Sequence, residues 1–225
     1  AGQYTFVVRD VNNCETFLDV SLVSPEDIVI DISVSSDYNG HPIQCYNGSN
    51  AELTSIVSGG VYPFDYIITS VMDQISLENQ DSVLVLQNLT AGNYIYDVVD
   101  ANGCQMEWTP ASQVFVTQPE EVDFSYFISP ISCTDDTDAE VQFSDFNGGT
   151  GNYEIEFWNS FGFYENAQIF SVNTIETYSG LTSAMYYFSI IDDNNCQHLD
   201  SILISNPLPI NSSVEIFNAS CFNAS

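Results

Sequence analysis

One pattern constrains this chain more than any other: it repeats itself. Gly2-Gln3-Tyr4-Thr5-Phe6-Val7-Val8-Arg9-Asp10-Val11-Asn12-Asn13-Cys14 returns as Gly92-Asn93-Tyr94-Ile95-Tyr96-Asp97-Val98-Val99-Asp100-Ala101-Asn102-Gly103-Cys104. It returns again as Ala184-Met185-Tyr186-Tyr187-Phe188-Ser189-Ile190-Ile191-Asp192-Asp193-Asn194-Asn195-Cys196. Cys14 to Cys104 is 90 residues and Cys104 to Cys196 is 92. A second signature, Ile43-Gln44-Cys45 with Ala51-Glu52, recurs 88 residues on as Ile131-Ser132-Cys133 with Ala139-Glu140, then as Ala219-Ser220-Cys221. A third, Ser58-Gly59-Gly60-Val61-Tyr62-Pro63-Phe64, is echoed by Asn147-Gly148-Gly149-Thr150-Gly151-Asn152-Tyr153. Three signatures on one period of about 90 residues mark a tandem array.

The period sets the expected modules. Residues 1–25 read as the C-terminal strands of a preceding module, and 26–118 and 119–207 as complete modules. Residues 208–225 read as the first strand of a following one, so the chain reads as a slice of a longer array. Pro25-Glu26-Asp27, Pro119-Glu120-Glu121 and Pro207-Leu208-Pro209 mark the joints. Linkers this short leave neighbouring modules little freedom, which predicts a semi-rigid rod.

Within residues 26–118, Ile28, Ile30, Ile32 and Val34 alternate with Val29, Asp31 and Ser33, the period of a half-buried strand. Leu53–Val57, Phe64–Ile68, Ser82–Leu86 and Val114–Thr117 read as further strands, and Tyr94, Tyr96 and Val98 line one face of another. Asn102-Gly103 suits the positive φ of a hairpin turn. Short strands with frequent turns in about 90 residues predict an all-β fold, a tandem of immunoglobulin-like β-sandwich modules. The cysteine pair that crosses the antibody sandwich is missing; here the cysteines sit at strand ends.

Charge narrows the partners. The chain has one arginine (Arg9), no lysine and 31 acidic residues, a net charge of −30. Nucleic acid and anionic membrane both require Lys and Arg against their phosphates, so both are excluded. No apolar run is long enough for a membrane span. Such acidity suits salty water or bound divalent cations. Asp135, Asp136 and Asp138 form the run best placed to offer oxygen ligands to a structural Ca²⁺, and a solvated turn cluster is the alternative. No other cofactor is expected.

Nothing in the chain reads as catalytic. His41 and His198 have no neighbour at metal-ligand spacing, no serine has a His–Asp constellation, and no glycine-rich phosphate loop is present. The chain is therefore not expected to be an enzyme. Phe157, Trp158, Phe161, Phe163 and Tyr164 form an aromatic cluster that reads either as core and edge filling or as an interface or ligand patch.

Gly-x-Tyr with alternating β residues, then Asp-x-Asn-Gly-Cys, together with the upstream Cys45 and the Ser58–Phe64 segment, resembles the SprB repeat. That repeat occurs in gliding-adhesin-like giant surface proteins exported by the type 9 secretion system. The loop after the first cysteine departs from the family pattern, and Asn13 and Asn195 replace the glycine of Asn-Gly-Cys. The resemblance implies a secreted, cell-surface filament or adhesin acting in attachment, gliding or capture of prey or other cells. Its partners would be other modules of the same chain, further copies in a homo-oligomeric filament, and cell-surface glycans. A carbohydrate- or surface-binding module and a spacer of a larger secreted enzyme stand as alternatives. Asp81-Ser82-Val83 and Asp200-Ser201-Ile202 resemble the O-glycosylation acceptor of that bacterial group, making Ser82 and Ser201 candidate sugar sites.

In a secreted chain the repeating cysteines read as a disulfide framework. Cys45 and Cys133 lie in A–B loops, and Cys104 and Cys196 in F–G turns. These loops sit at opposite ends of such a sandwich, about 20–30 Å apart for strands of this length. A disulfide needs Cα atoms within about 7 Å. That favours Cys45 with Cys196 across a module boundary, leaving Cys14, Cys104, Cys133 and Cys221 for modules outside this stretch. Cys45 with Cys104 inside one module remains the alternative if the Cys45 loop folds back.

Overall fold

The computed structural model describes residues 1–169 and 174–216. The chain divides into two compact units, Ala1–Pro119 and Glu120–Ser225.

The first unit opens with a hairpin of β1 (Gly2–Arg9) and β2 (Glu15–Leu22). It continues with β3 (Val29–Val34), β4 (Ala51–Ser58), β5 (Phe64–Thr69), β6 (Gln74–Gln80), β7 (Val83–Leu89), β8 (Gly92–Asp100) and β9 (Gln113–Val116). These seven strands form two antiparallel sheets, in the orders β3-β4-β7 and β6-β5-β8-β9. The strict alternation of β4 decides which side is core. Ala51, Leu53, Ser55 and Val57 turn inward, to meet Phe64, Tyr66 and Ile68 of β5 and Tyr94, Tyr96 and Val98 of β8. β1 has the same alternation as β8, yet Tyr4 and Phe6 are exposed, because no second sheet faces the hairpin among the described residues.

The second unit repeats the plan with β10 (Asp123–Ser129), β11 (Ala139–Asn147), β12 (Tyr153–Asn159), β13 (Tyr164–Ile169), β14 (Glu176–Leu181), β15 (Ala184–Asp192) and β16 (Gln197–Ile204). Its sheets run β10-β11-β14 and β13-β12-β15-β16, the same order strand for strand. Each unit is thus an all-β immunoglobulin-like sandwich. β6 adds to the strands expected from the sequence, and the alternation of Ile75 and Leu77, both packed against the core, is its sign.

The two cores differ in chemistry. That of the second unit is aromatic: Phe143 touches Phe124, Tyr126, Phe157, Tyr178 and Phe188, with ring centroids 5.0–6.1 Å apart. Phe157 stacks on Tyr186 at 5.2 Å. With −30 net charge, ion pairing contributes almost nothing; the sole salt bridge among the described residues joins Arg9 to Glu15. Cohesion rests on apolar burial and on the hydrogen-bond ladders.

Two substitutions separate these contributions. Phe143→Ala should lower the denaturant stability of the second unit by about 3–5 kcal/mol, the cost of emptying a fully packed aromatic site. The Tyr178 hydroxyl is buried without a hydrogen-bond partner among the described residues. Tyr178→Phe removes that unpaired group, and the same titration should show stability unchanged or raised by up to about 1 kcal/mol.

Candidate functional site: the two poles of a module

The repeated signatures converge on the two ends of each sandwich. At the end where the chain enters, the turn after β8 is built on Asp100. Its Oδ1 accepts from the amides of Asn102 (2.9 Å) and Cys104 (2.8 Å), and its Oδ2 from that of Val61 (3.0 Å). Asp192 does the same in the second unit, with Asn194 (2.9 Å), Cys196 (2.8 Å) and Thr150 (2.8 Å). In the isolated hairpin, Asp10 holds Asn12 and Cys14 in the same way. The residue before each cysteine is left-handed: Asn13, Gly103 and Asn195 have φ of 65°, 77° and 62°. Asparagine tolerates that region as glycine does.

The double glycine completes this pole. Gly60 N–H donates to the Glu26 carbonyl, and Gly149 N–H to that of Glu120, each at 2.9 Å. A Cβ on Gly59 would lie 2.0 Å from the Asp27 carbonyl oxygen, and one on Gly148 would lie 1.8 Å from that of Glu121. A Cβ on Gly149 would meet Asp192 Oδ2 at 2.9 Å. Only glycine lets the incoming linker, this turn and the carboxylate meet.

The second cysteine signature marks the opposite end. Ile43 and Ile131 plug into the core, leaving Cys45 and Cys133 on the loop outside it. Asn50 Oδ1 accepts from the Gln44 amide, and Asp138 Oδ1 from the Ser132 amide, both at 3.1 Å. Each loop is tied to the outgoing linker of its own unit. Asn47 N–H donates to Gln118 Oε1 at 3.1 Å. Asp135 N–H donates to Asn206 Oδ1, whose Nδ2 donates back to Asp135 Oδ1, both at 3.2 Å. Gln118 and Asn206 were not legible as functional; their spacing of 88 residues is the one sign.

The cysteines fall into two states. Cys45 and Cys196 are disulfide-bonded, while Cys14, Cys104 and Cys133 are exposed free thiols. The intra-module alternative, Cys45 with Cys104, is therefore not formed: the loop of Cys45 is held at the outgoing pole and the turn of Cys104 at the incoming one. Cys221 lies outside the described residues.

The acidic run finds work in the loop. Asp135 pairs with Asn206, Asp136 accepts from the Ser132 hydroxyl, and Asp138 holds the Ser132 amide. Hydrogen bonds from Ser132 hold the Asp138 carboxyl below its ordinary value. Among the described residues, no group of three or more His, Cys, Asp or Glu is arranged to hold a metal ion. Of the candidate sugar acceptors, Ser201 is exposed on β16 and Ser82 is half-buried.

The aromatic cluster divides. Phe157 is fully buried and Phe163 packs beside it at 5.9 Å, so both belong to the core rather than to a surface patch. The strand pleat sends Phe157 inward and Trp158 outward. Trp158 stacks on Tyr187 at 6.0 Å, Tyr164 is exposed with its hydroxyl donating to Glu156 Oε1 at 2.8 Å, and Phe161 is exposed. That hydrogen bond to Glu156 raises the Tyr164 phenol. Tyr187, outside the expected cluster, joins this face, as its alternation with Tyr186 and Phe188 requires.

No family model matches the chain, and no curated protein matches its sequence. Solved structures similar to it include a two-domain fibronectin type III segment of chicken tenascin, at 12% identity over 77% of this chain and 97% of that one, with a TM-score of 0.29. Fibronectin(III)-like modules of CbhA from Clostridium thermocellum match at 14% identity over 82% and 100%, with a TM-score of 0.30. The C-terminal 282-residue fragment of intimin, in complex with the intimin-binding domain of its translocated receptor, matches at 14% over 82% and 65%, with a TM-score of 0.35. Likeness of this degree adds nothing to what the strand order already defines, a run of β-sandwich modules. No helix among the described residues is long and apolar enough to cross a membrane.

The Asp100 turn makes a pH prediction. The Cys104 amide above all, with those of Val61 and Asn102, holds the Asp100 carboxyl below its ordinary value, against the opposing effect of burial. A lowered carboxyl stabilises the fold fully above the ordinary aspartate value of about 3.9, and that stabilisation fades as pH falls through the lowered value. Calorimetry should find the melting-temperature gap between the native chain and Asp100→Asn widest at pH 7 and closing on acidification below about pH 4. A gap constant down to pH 2 would assign the effect to shape rather than charge.

Proposed function

We propose that the chain is a structural stretch of a long extracellular filament or adhesin of the SprB type, whose modules are built to be joined end to end. One observation carries this reading. Each complete module ties one cysteine-bearing loop to its outgoing linker and, through the double-glycine segment, its other cysteine-bearing turn to its incoming linker. The features that recur along the chain are thus the parts a joint needs, whereas the faces between the poles vary.

On this reading Cys45, on the outgoing loop of one module, pairs with Cys196, on the incoming turn of the next, as a covalent staple. The bonded state of these two cysteines and the free state of Cys14, Cys104 and Cys133 support it. Disulfides persist in oxidising surroundings, which agrees with a secreted, surface-exposed chain. Cys104 and Cys133 would then serve the neighbouring joints in an array longer than this stretch. A rod stiffened by short linkers and staples suits attachment, gliding or capture, where force must pass along the molecule. The near absence of Lys and Arg leaves nucleic acid and anionic membrane out of account as partners.

Proteolysis without reduction, followed by mass spectrometry, tests the staple. A single linked peptide pair containing Cys45 and Cys196 is expected, with Cys104 and Cys133 open to alkylation. A Cys45–Cys104 peptide would overturn the reading. In Cys45→Ser, Cys196 should gain an alkylatable thiol while the strand signal in circular dichroism stays unchanged.

A further inference from the structure

The two complete modules differ at one place in a way that the joint does not require. In the second unit β16 begins directly after the turn and pairs with β15 from Ile191↔Gln197 through to Ala184↔Ile204. In the first unit the chain makes a single bridge, Val99↔Gln105, and then leaves the sheet. It rejoins only for the short ladder from Ile95↔Gln113 to Gly92↔Val116. Between these points Met106 donates its amide to the Val98 carbonyl at 2.9 Å and sinks into the core. Thr109 and Ser112 then close a tight turn, with Ser112 N–H donating to the Thr109 carbonyl at 2.9 Å and Thr109 N–H to Ser112 Oγ at 3.0 Å. Ladder hydrogen bonds present in the sister module are given up, and what stands in their place is Trp108, 61% exposed. A local departure from an otherwise regular plan that leaves a large aromatic in water is where function concentrates.

Trp108 stands beside an open hollow of ≈ 410 Å³ on the outward side of β5 and β8. Ile67 and Ile95 line it with apolar surface, and Gln74, Asp97 and Gln105 supply the polar groups. Its size falls within the range of small-ligand sites, roughly 300–1,000 Å³. Asp97 Oδ2 accepts from Gln105 Nε2 at 2.6 Å, so the carboxylate is already engaged and helps to orient the amide. Two amides can both donate and accept, and the indole face is negative and attracts polarised C–H bonds.

Charge selects among ligands. Anions are disfavoured by the −30 charge and by the lack of any lysine or arginine in the lining. A second copy brings the same −30. A cation would find one carboxylate that Gln105 already engages. A neutral, hydroxyl-rich ring meets none of these obstacles: its C–H face can lie on Trp108 and its hydroxyls can exchange hydrogen bonds with Gln74, Gln105 and Asp97. We propose that this hollow is a binding subsite for a neutral saccharide, so that the first module also holds a ligand. The inference rests on the first unit alone and does not depend on the staple.

The test uses the full chain carrying Trp158→Phe, which leaves Trp108 as its single tryptophan reporter. A panel of neutral hexose, N-acetylhexosamine and pentose oligosaccharides is titrated by fluorescence and calorimetry, with polygalacturonate and an arginine-rich peptide as the charged arms. At least one neutral class should change the Trp108 emission and bind, while polygalacturonate should not. Calorimetry on Trp108→Ala should show affinity about tenfold lower or worse, with the circular dichroism of the native chain retained. Gln105→Ala should weaken binding while leaving the indole in place. Three results would overturn the proposal: no neutral saccharide binds, binding is unaffected by Trp108→Ala, or the arginine-rich peptide alone binds at Trp108. None of them would alter the cysteine pairing read by mass spectrometry.

Discussion

A buried carboxylate set among backbone amides holds each module together at its entry. Asp100 and Asp192 each accept three main-chain N–H groups, two from the turn that carries a cysteine and one from the segment after the double glycine. In most proteins a buried acid would find a lysine or arginine, but this chain has one arginine and no lysine. The backbone supplies the compensating positive ends of its dipoles instead, through charge-assisted hydrogen bonds that need no cation. The arrangement demands close approach, and the glycine pairs supply it: a methyl group at Gly149 would crowd Asp192 itself. The linker, the double glycine, the aspartate and the cysteine are therefore parts of one assembly, and this is why they recur together along the sequence.

That dependence explains how the modules can vary elsewhere. The first core is built from aliphatic residues with a few tyrosines, the second from a web of phenylalanine and tyrosine rings, yet the strand order is the same. Cores tolerate such exchange as long as volume and pattern are kept. Both poles, in contrast, keep the hydrogen bonds of the aspartate turn, of the double glycine and from the cysteine-loop amide to the outgoing linker. Recurrence at the ends and variation on the faces leave the sides of each module open to other work. The detour after Cys104, which exposes Trp108 in the first unit, is one use of that freedom.

Some of this was legible without coordinates. Alternation in β4, β8 and β12 follows from the pleat, which sends successive side chains to opposite faces, so Leu53, Tyr96 and Ile155 could be assigned to a core as soon as strands were assumed. The period was visible because the poles depend on a few residues, the double glycines and the clamp aspartates, whose backbone roles few other side chains fill. The aromatic cluster was less legible. Phe157 and Trp158 are neighbours of similar character, and only the choice of inner face separates the buried ring from the outward one.

The sequence by itself determined the all-β class, the repeat of about 90 residues and the left-handed residue before Cys14, Cys104 and Cys196, since each follows from local chemistry or from composition. Only the tertiary structure decided that Asp100 and Asp192 serve as clamps, that Asp135 and Asp138 brace a loop, that Gln118 and Asn206 secure the cysteine loops and that Trp108 overlooks a hollow. Each of these joins residues far apart in the chain, such as Val61 with Asp100 or Asn47 with Gln118. Periodicity records which face a residue takes, whereas its partner across the fold is set by how the strands pair and where each loop is brought to rest.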